Sequence, residues 1–465
     1  MSPNGTGRRE RVLLAAILLV ALAARVAVAV ATRSWIFPTQ RAFGFEMGDI
    51  ASSIAAGHGF SWSGDERLPT AWMPPAYPYL IAGVFRLFGT YTPASALVLE
   101  SVQTALSVAT CALIAVVGRR VVGTPAALAA AALFAIYPPA IHFAVQKVWS
   151  TTLVAFALAL LLWLFLRLRE RPTAGRALVL GLAFGAGALL EPLTLGILPF
   201  GFAWLAVAGG ADARLVVRSL GLVLATVLVI TAPWLARNRV VFDSFVFIRS
   251  NFGHELYLGN NELATGRWND EIPDQILPGG VGSRGCGEGG GPPGSGTAPA
   301  AASSLLLTPR EAAFVCEADE PEMNRFFLRK AVAWIRSHPA RFAELTALRV
   351  ADYWTNVRRT DTPEAKLAAA SYAGLMALAL AGVAAGVLRR PGAVLVLLFG
   401  LALSLPFYVT IVRHWRYRFP VEALVTLFAG YALASLLGRV RRGRPSRGAA
   451  AGPPLQPVGG AGRAS

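Results

Sequence analysis

The sequence predicts an all-α polytopic membrane protein, and three observations carry that expectation. Of its 465 residues 55% are hydrophobic and only 15% are charged, a balance beyond that of an ordinary soluble domain. The mean hydropathy is +0.53. The apolar residues also fall into separate runs close to the roughly 20 residues that a helix needs to cross a hydrocarbon core.

The first such run is residues 12–31, apolar except for Arg25 and preceded by Arg8, Arg9 and Arg11. A signal peptide shares this pattern, but the apolar runs that follow leave the class unchanged. Spans are expected near 12–31, 96–118, 124–143, 149–167, 177–191, 193–209, 217–235, 366–388, 391–411 and 419–437. That makes about ten, with the fifth and sixth short and interrupted at Glu191-Pro192. Three blocks follow: an N-terminal transmembrane module over 1–236 with an external loop at 32–95, an external segment at 237–365, and C-terminal transmembrane helices over 366–438. Residues 439–465, rich in Gly, Ala and Pro, read as a disordered cytoplasmic tail.

Charge sets the orientation. If the spans alternate, Arg119-Arg120, the cluster Arg167, Arg169, Arg171 and Arg176, then Arg389-Arg390 and the tail arginines all share the side of the basic N-terminus. The positive-inside rule makes that side cytoplasmic. The net charge of +17 is then a topological signal with attraction to anionic headgroups, and no nucleic-acid partner is implied.

The external segment divides further. Residues 238–278 alternate aromatic and β-branched residues around FDSFVFIRSNFGHELYLGNN, and 279–302 is Gly, Pro, Ser and Ala that cannot bury enough apolar area to order itself. From Pro309 a helical pattern begins, with Thr308 as N-cap and Glu311 completing a capping box. Cys286 and Cys316 share this side and are a candidate disulfide in an oxidising compartment, or free thiols. Cys111 lies inside the second span as a packing residue.

The five histidines are scattered, no paired-Cys motif or Asp-x-Asp triplet occurs, and no Gly-rich phosphate loop follows a strand. No metal and no cofactor is called for. What remains is a ring of ionisable groups at one depth. Glu46, Asp49, Glu100, Glu191 and Glu422 lie at external span ends, with Lys147, Arg237, Arg239, Arg413, Arg416 and Arg418 as neighbours. Each cation alone is explained by snorkelling to the headgroups; the gathering on one face points to a site. Glu46 is either a catalytic carboxylate or a cap on a short amphipathic helix, Ile50–Ala56, and capping is the stronger reading for Asp49. Glu191, His254, Tyr77 and Trp415 are the candidates for the substrate pocket, Tyr77 as part of a stiff Pro-aromatic corner that is a substrate wall or only the re-entry into the membrane.

The ordered segments EMGDIASSIAAGHGFS, PTAWMPPAYPYLIAGVFRLFG, TAPWLARNRVVFDSFVFIRSNFGHELYLGNN and RHWRYRFPVEALVTLFAGYAL resemble glycosyltransferase family 39, the protein mannosyltransferase and aminoarabinose transferase clan. The resemblance covers most of residues 10–440. It implies a GT-C-like transmembrane helix bundle that takes a sugar from a polyprenyl-phosphate donor on the external face of the cell membrane and inverts its anomeric centre. The acceptor class, whether lipid, glycan or protein, is left open. The family's acidic residue after the first span maps onto Glu46, with Asp49 as the alternative. Many relatives carry Asp or an Asp-Glu pair there, whereas here Met47 follows Glu46. The Gly-rich insertion stands outside the family pattern.

Elementary chemistry points the same way. A polyprenyl phosphate is already an anionic leaving group, so displacement needs a base for the acceptor hydroxyl and cations for the developing phosphate charge. Glu46 suits the first task, since partial burial raises a carboxylate towards neutrality. Lys147, Arg237, Arg413 and Arg416 suit the second. A lipid-linked sugar flippase would place its charges along a path through the membrane, and a non-catalytic GT-C-like assembly subunit would not need Glu46.

Overall fold

A computed structural model describes residues 3–36, 43–62, 64–208, 212–267, 306–355, 362–410 and 415–442. Among these the regular structure is helical, with one isolated bridge between Ser61 and Pro69. The first helix, α1 (Pro3–Thr32), is followed by two helices of the first loop, α2 (Glu46–Ala56) and α3 (Ala76–Phe88). Then come α4 (Pro93–Val121), α5 (Thr124–Ile136), α6 (Pro138–Val145), α7 (Thr151–Glu170), α8 (Ala174–Leu190), α9 (Ile197–Ala208) and α10 (Ala213–Phe242).

Local chemistry sets the boundaries. Thr92 and Ser95 form a capping box in front of α4 with Pro93 in its first turn, and Arg119 and Arg120 sit in the last turn, where cations favour the helix dipole. Pro138 and Pro139 cannot continue α5, so α5 and α6 meet at 52° as one bent pair. Pro192 breaks the chain after α8, and a 3-10 stretch, Pro192–Gly196, leads into α9. Among the described residues seven helices can cross a membrane by length and composition, α1, α4, α7, α10 and the three C-terminal helices below, or eight with the bent pair. The fifth and sixth expected spans correspond to Ala174–Leu190 and Pro192–Val207, apolar helices too short for that set.

The second half begins with α11 (Phe252–Gly259). The aromatic and β-branched alternation around it is no strand in the described part of 238–278: the first residues extend α10 to Phe242, and 252–259 coil into a helix. Beyond lie α12 (Pro309–Glu317), α13 (Glu320–Ser337) and α14 (Pro339–Thr355). Thr308 and Glu311 make the expected capping box. A second box, Asp319 with Glu322, restarts the helix as α13, and Pro339 starts α14. The chain closes with α15 (Pro363–Ala384), α16 (Pro391–Val409) and α17 (Phe419–Arg442). Residues 279–302, Cys286 and the tail from 443 lie outside the described residues, and with Cys286 the Cys286–Cys316 pairing. Cys111 is buried and donates to the Ala131 carbonyl at 3.2 Å.

The bundle centres on α4, which packs against α5 and α7, while α17 packs against α5 and α15. α8 and α10 form a close pair. A Cβ on Gly181 would meet Thr226 at 2.6 Å and one on Gly185 would meet Ile230 at 2.7 Å, the small-residue contact that lets membrane helices approach. Exposed Leu224, Leu228 and Val229 on α10 offer apolar surface that a bilayer covers. Arg25 is fully buried in α1. It donates to Ser107 Oγ at 2.9 Å and to the carbonyls of Ala21 and Ala135 at 2.8 and 3.0 Å. A charge that costs several kcal/mol in hydrocarbon is thereby held by polar groups inside the bundle.

Candidate functional site

Glu46 is the first residue of α2. The turn before it is unusual: Gly44 and Phe45 both have positive φ, 90° and 44°. For Phe45 this is a sparsely populated region whose cost is of order 1–3 kcal/mol, and such strain gathers at functional sites. Gly48 keeps the turn tight, since a Cβ there would run into the Phe43 carbonyl. A Cβ on Gly44 would meet the Val148 carbonyl at 3.2 Å. The Glu46 turn therefore lies against the segment that carries Lys147 and Trp149.

Trp149 joins two of the predicted cations. The Lys147 ammonium lies 5.6 Å from its ring centroid and the Arg416 guanidinium 4.6 Å. Arg416 also stacks on Tyr417 at 4.8 Å and donates to its hydroxyl at 2.8 Å. Burial works against the Arg416 charge, but Tyr417, Glu46 and Glu255 outweigh it and hold its pKa above the ordinary guanidinium value. Arg416 thus lies in the field of both Glu46 and Glu255. Trp415 packs beside them, 4.6 Å from Phe143 and 5.4 Å from His142 between ring centroids.

Asp49 falls in the fourth position of α2, not before it, because the helix begins at Glu46 instead of Ile50. It cannot be the N-cap, a place held by Phe45, which has no capping oxygen. Its charge faces Tyr91: burial, then Asp49, push the Tyr91 hydroxyl up to about 12 against a hydrogen bond from Ser52. Tyr77 is buried and its hydroxyl donates to Gln103 at 2.9 Å. Gln103 in turn donates to the Lys147 carbonyl at 3.0 Å, so Tyr77 supports the Lys147 segment from the core side. Arg413 lies outside the described residues.

Arg237 belongs to a neighbouring group. It donates to the carbonyls of Thr70 at 2.7 Å and Phe60 at 2.9 Å, with its guanidinium 4.9 Å from the Trp234 ring. That geometry staples the first loop to α10. Glu320 gathers the same loop from the other side, taking hydrogen bonds from Trp62 at 3.0 Å, Thr70 at 2.5 Å, the Ala71 amide at 2.8 Å and Ser250 at 2.6 Å. A carboxylate with four donors is a structural knot. Arg249 lies 3.8 Å from Glu191 and donates to the Trp72 carbonyl at 3.0 Å. His254 packs between Trp72 and Phe327, with ring centroids at 5.1 and 5.7 Å, and its neighbour Glu255 faces Arg416. The two groups are therefore continuous along α11.

Sequence reasoning missed Arg249, Glu255, Glu320 and Trp149. For Arg249 and Glu255 a signal existed: each is a charge inside the aromatic run FVFIRSNFGHE. For Glu320 none did, since its partners come from 70 to 258 residues away.

Comparison with known proteins agrees with this architecture. Residues 73–236 match the model of the dolichyl-phosphate-mannose-protein mannosyltransferase family. No curated protein matches the chain in sequence. Among solved structures, the archaeal oligosaccharyltransferase AglB from Archaeoglobus fulgidus, in complex with an inhibitory peptide and a dolichol-phosphate, is 13% identical with a TM-score of 0.52, over 94% of this chain and 51% of that one. The chain thus spans about half of that protein's length. ArnT from Cupriavidus metallidurans bound to undecaprenyl phosphate is 13% identical with a TM-score of 0.39, over 95% of this chain and 80% of that one. The chain is a multi-pass helical membrane protein with the GT-C fold, and it resembles the dolichyl-phosphate-mannose-protein mannosyltransferases, glycosyltransferase family 39, with the family match lying over residues 73–236.

Proposed function

We propose that this protein is a membrane glycosyltransferase that moves a sugar from a polyprenyl-phosphate donor to an acceptor hydroxyl at the Glu46 end of the bundle. One observation carries the reading: the strained Glu46 turn lies against the Lys147–Trp149 segment, and Lys147 and Arg416 converge on the Trp149 ring. The GT-C fold supports it, as does the dolichol-phosphate carried by the archaeal oligosaccharyltransferase of the same fold.

In this reading the Glu46 carboxylate accepts the proton of the acceptor hydroxyl as its oxygen attacks the anomeric carbon. The bond from that carbon to the phosphate oxygen breaks, and its electron pair leaves with the polyprenyl phosphate. Lys147 and Arg416 stabilise the charge that builds on the phosphate. Attack opposite the leaving group inverts the anomeric centre. Trp149 holds both cations in place, and Trp415 lines the donor side.

Purified protein in vesicles, given radiolabelled polyprenyl-phosphate hexoses with lipid or protein acceptors, is expected to transfer label. Arg416→Gln removes a charge-assisted contact of about 1.5–3 kcal/mol, so donor affinity should fall by about tenfold or more while membrane insertion is unchanged. Wild-type donor affinity in that variant would refute the phosphate role.

The arginine distribution supports cytoplasmic termini and a site facing away from the cytoplasm. Reporter fusions at Arg444 and at Gly290 are then expected to give opposite signals. Equal signals would overturn this topology.

A further inference from the structure

At the end of the bundle opposite Glu46 the helix termini line an open cleft of about 540 Å³. Its side chains include Arg120 from the last turn of α4, Arg169 and Glu170 from the end of α7, and Arg390 in front of α16. Three guanidinium groups thus face one carboxylate, an excess of two positive charges. Arg120 and Glu170 form an ion pair at 2.6 Å, with both side chains partly exposed.

The other two arginines are set by aromatic rings. Arg169 lies 5.0 Å from the ring of Trp204, whose indole N–H donates to the Pro391 carbonyl at 2.7 Å. Arg390 lies 5.4 Å from the ring of Tyr431. Rings at these distances attract the guanidinium charge and hold it beside the cleft, and guanidinium donors suit the two-pronged recognition of phosphate oxygens. The wall beside Arg390 is the first turn of α16, with Gly392 on the cleft and no side-chain cap. Pro391 has no N–H and the Ala393 amide donates to the Arg390 carbonyl at 2.9 Å, so the Gly392 N–H is the one amide of this turn left to add to the positive field. The glycosyl-transfer reading uses none of these groups.

We propose that this cleft binds a phosphate-bearing anion, supplied either as the headgroup of an anionic phospholipid or as free phosphate. Its position at the membrane boundary, between helix ends, is where basic pockets meet headgroups. The size fits one small polar group, within the range of roughly 300–1,000 Å³ for ligand sites. The ordinary work of arginines at a cytoplasmic boundary needs neither a shared cleft nor aromatic rings beside the guanidinium groups.

The test uses the full chain in a neutral detergent. Thermal unfolding is followed while short-chain phosphatidylglycerol, short-chain phosphatidylcholine or inorganic phosphate is added. Phosphatidylglycerol is expected to raise the midpoint saturably and phosphatidylcholine to leave it unchanged. An equal rise with inorganic phosphate identifies the free anion as sufficient; a rise with phosphatidylglycerol alone identifies the headgroup. Arg169→Gln with Arg390→Gln should weaken the response by about fivefold per arginine. Glu170→Gln, which releases Arg120, should strengthen it and serves if the double variant does not fold. A wild-type protein that responds to neither anion, a double variant that responds like wild type, or a Glu170→Gln variant with an unchanged response would each overturn the proposal.

Discussion

Glu46→Gln is expected to lower glycosyl transfer by about 10²-fold or more while donor binding stays close to wild type. The amide keeps the shape of the side chain and its place at the start of α2 but cannot take the acceptor's proton. Part of the loss could come through Arg416, whose charge Glu46 helps to hold, and the donor-binding measurement separates the two. A variant with normal binding and slow turnover supports the base; one with weak binding and normal turnover assigns Glu46 to phosphate positioning through Arg416. Asp49→Asn is the control. Asp49 sits one turn further along α2 beside Tyr91, so its loss should cost less. Full activity in Glu46→Gln with none in Asp49→Asn would move the base along the helix.

The largest stability effect is expected at the start of α17. Arg418 and Glu422 are both buried and pair at 2.6 Å. Tyr137 donates to Glu422 at 2.7 Å, and Arg418 donates to the Tyr353 carbonyl at 2.6 Å with its guanidinium 3.6 Å from the Tyr372 ring. Removing one partner strands the other charge in the bundle, a loss of about 3–5 kcal/mol. Glu422→Gln should therefore lower the thermal midpoint in detergent sharply. Replacing both, as Arg418→Met with Glu422→Leu, should recover much of that loss, because a well-packed apolar pair of similar volume avoids the desolvation cost. A double variant as unstable as Glu422→Gln would mean that the ion pair is not the cause.

These two predictions differ in how much of them the sequence already held. Glu46 was legible because it is the first carboxylate after the first apolar run; Arg418 and Glu422 were legible only as charges at one boundary, and their pairing was not. Arg237 was legible as a cation near the right boundary but not as a staple. Its hydrogen bonds go to carbonyls at 60 and 70, 177 and 167 residues away, and a carbonyl leaves no mark in a sequence.

By itself the sequence determined the membrane class and most helix boundaries. Each follows from local periodicity, proline and capping chemistry, and the cost of charge in hydrocarbon. Only the tertiary structure decided the groupings: Lys147 and Arg416 on Trp149, the Glu46 turn against the Val148 carbonyl, four donors on Glu320, and Arg249 with Glu191. Hydropathy reports how deep a residue lies along a span but carries no information about rotation around the bundle. Which charges meet is set by the packing of helices far apart in the chain.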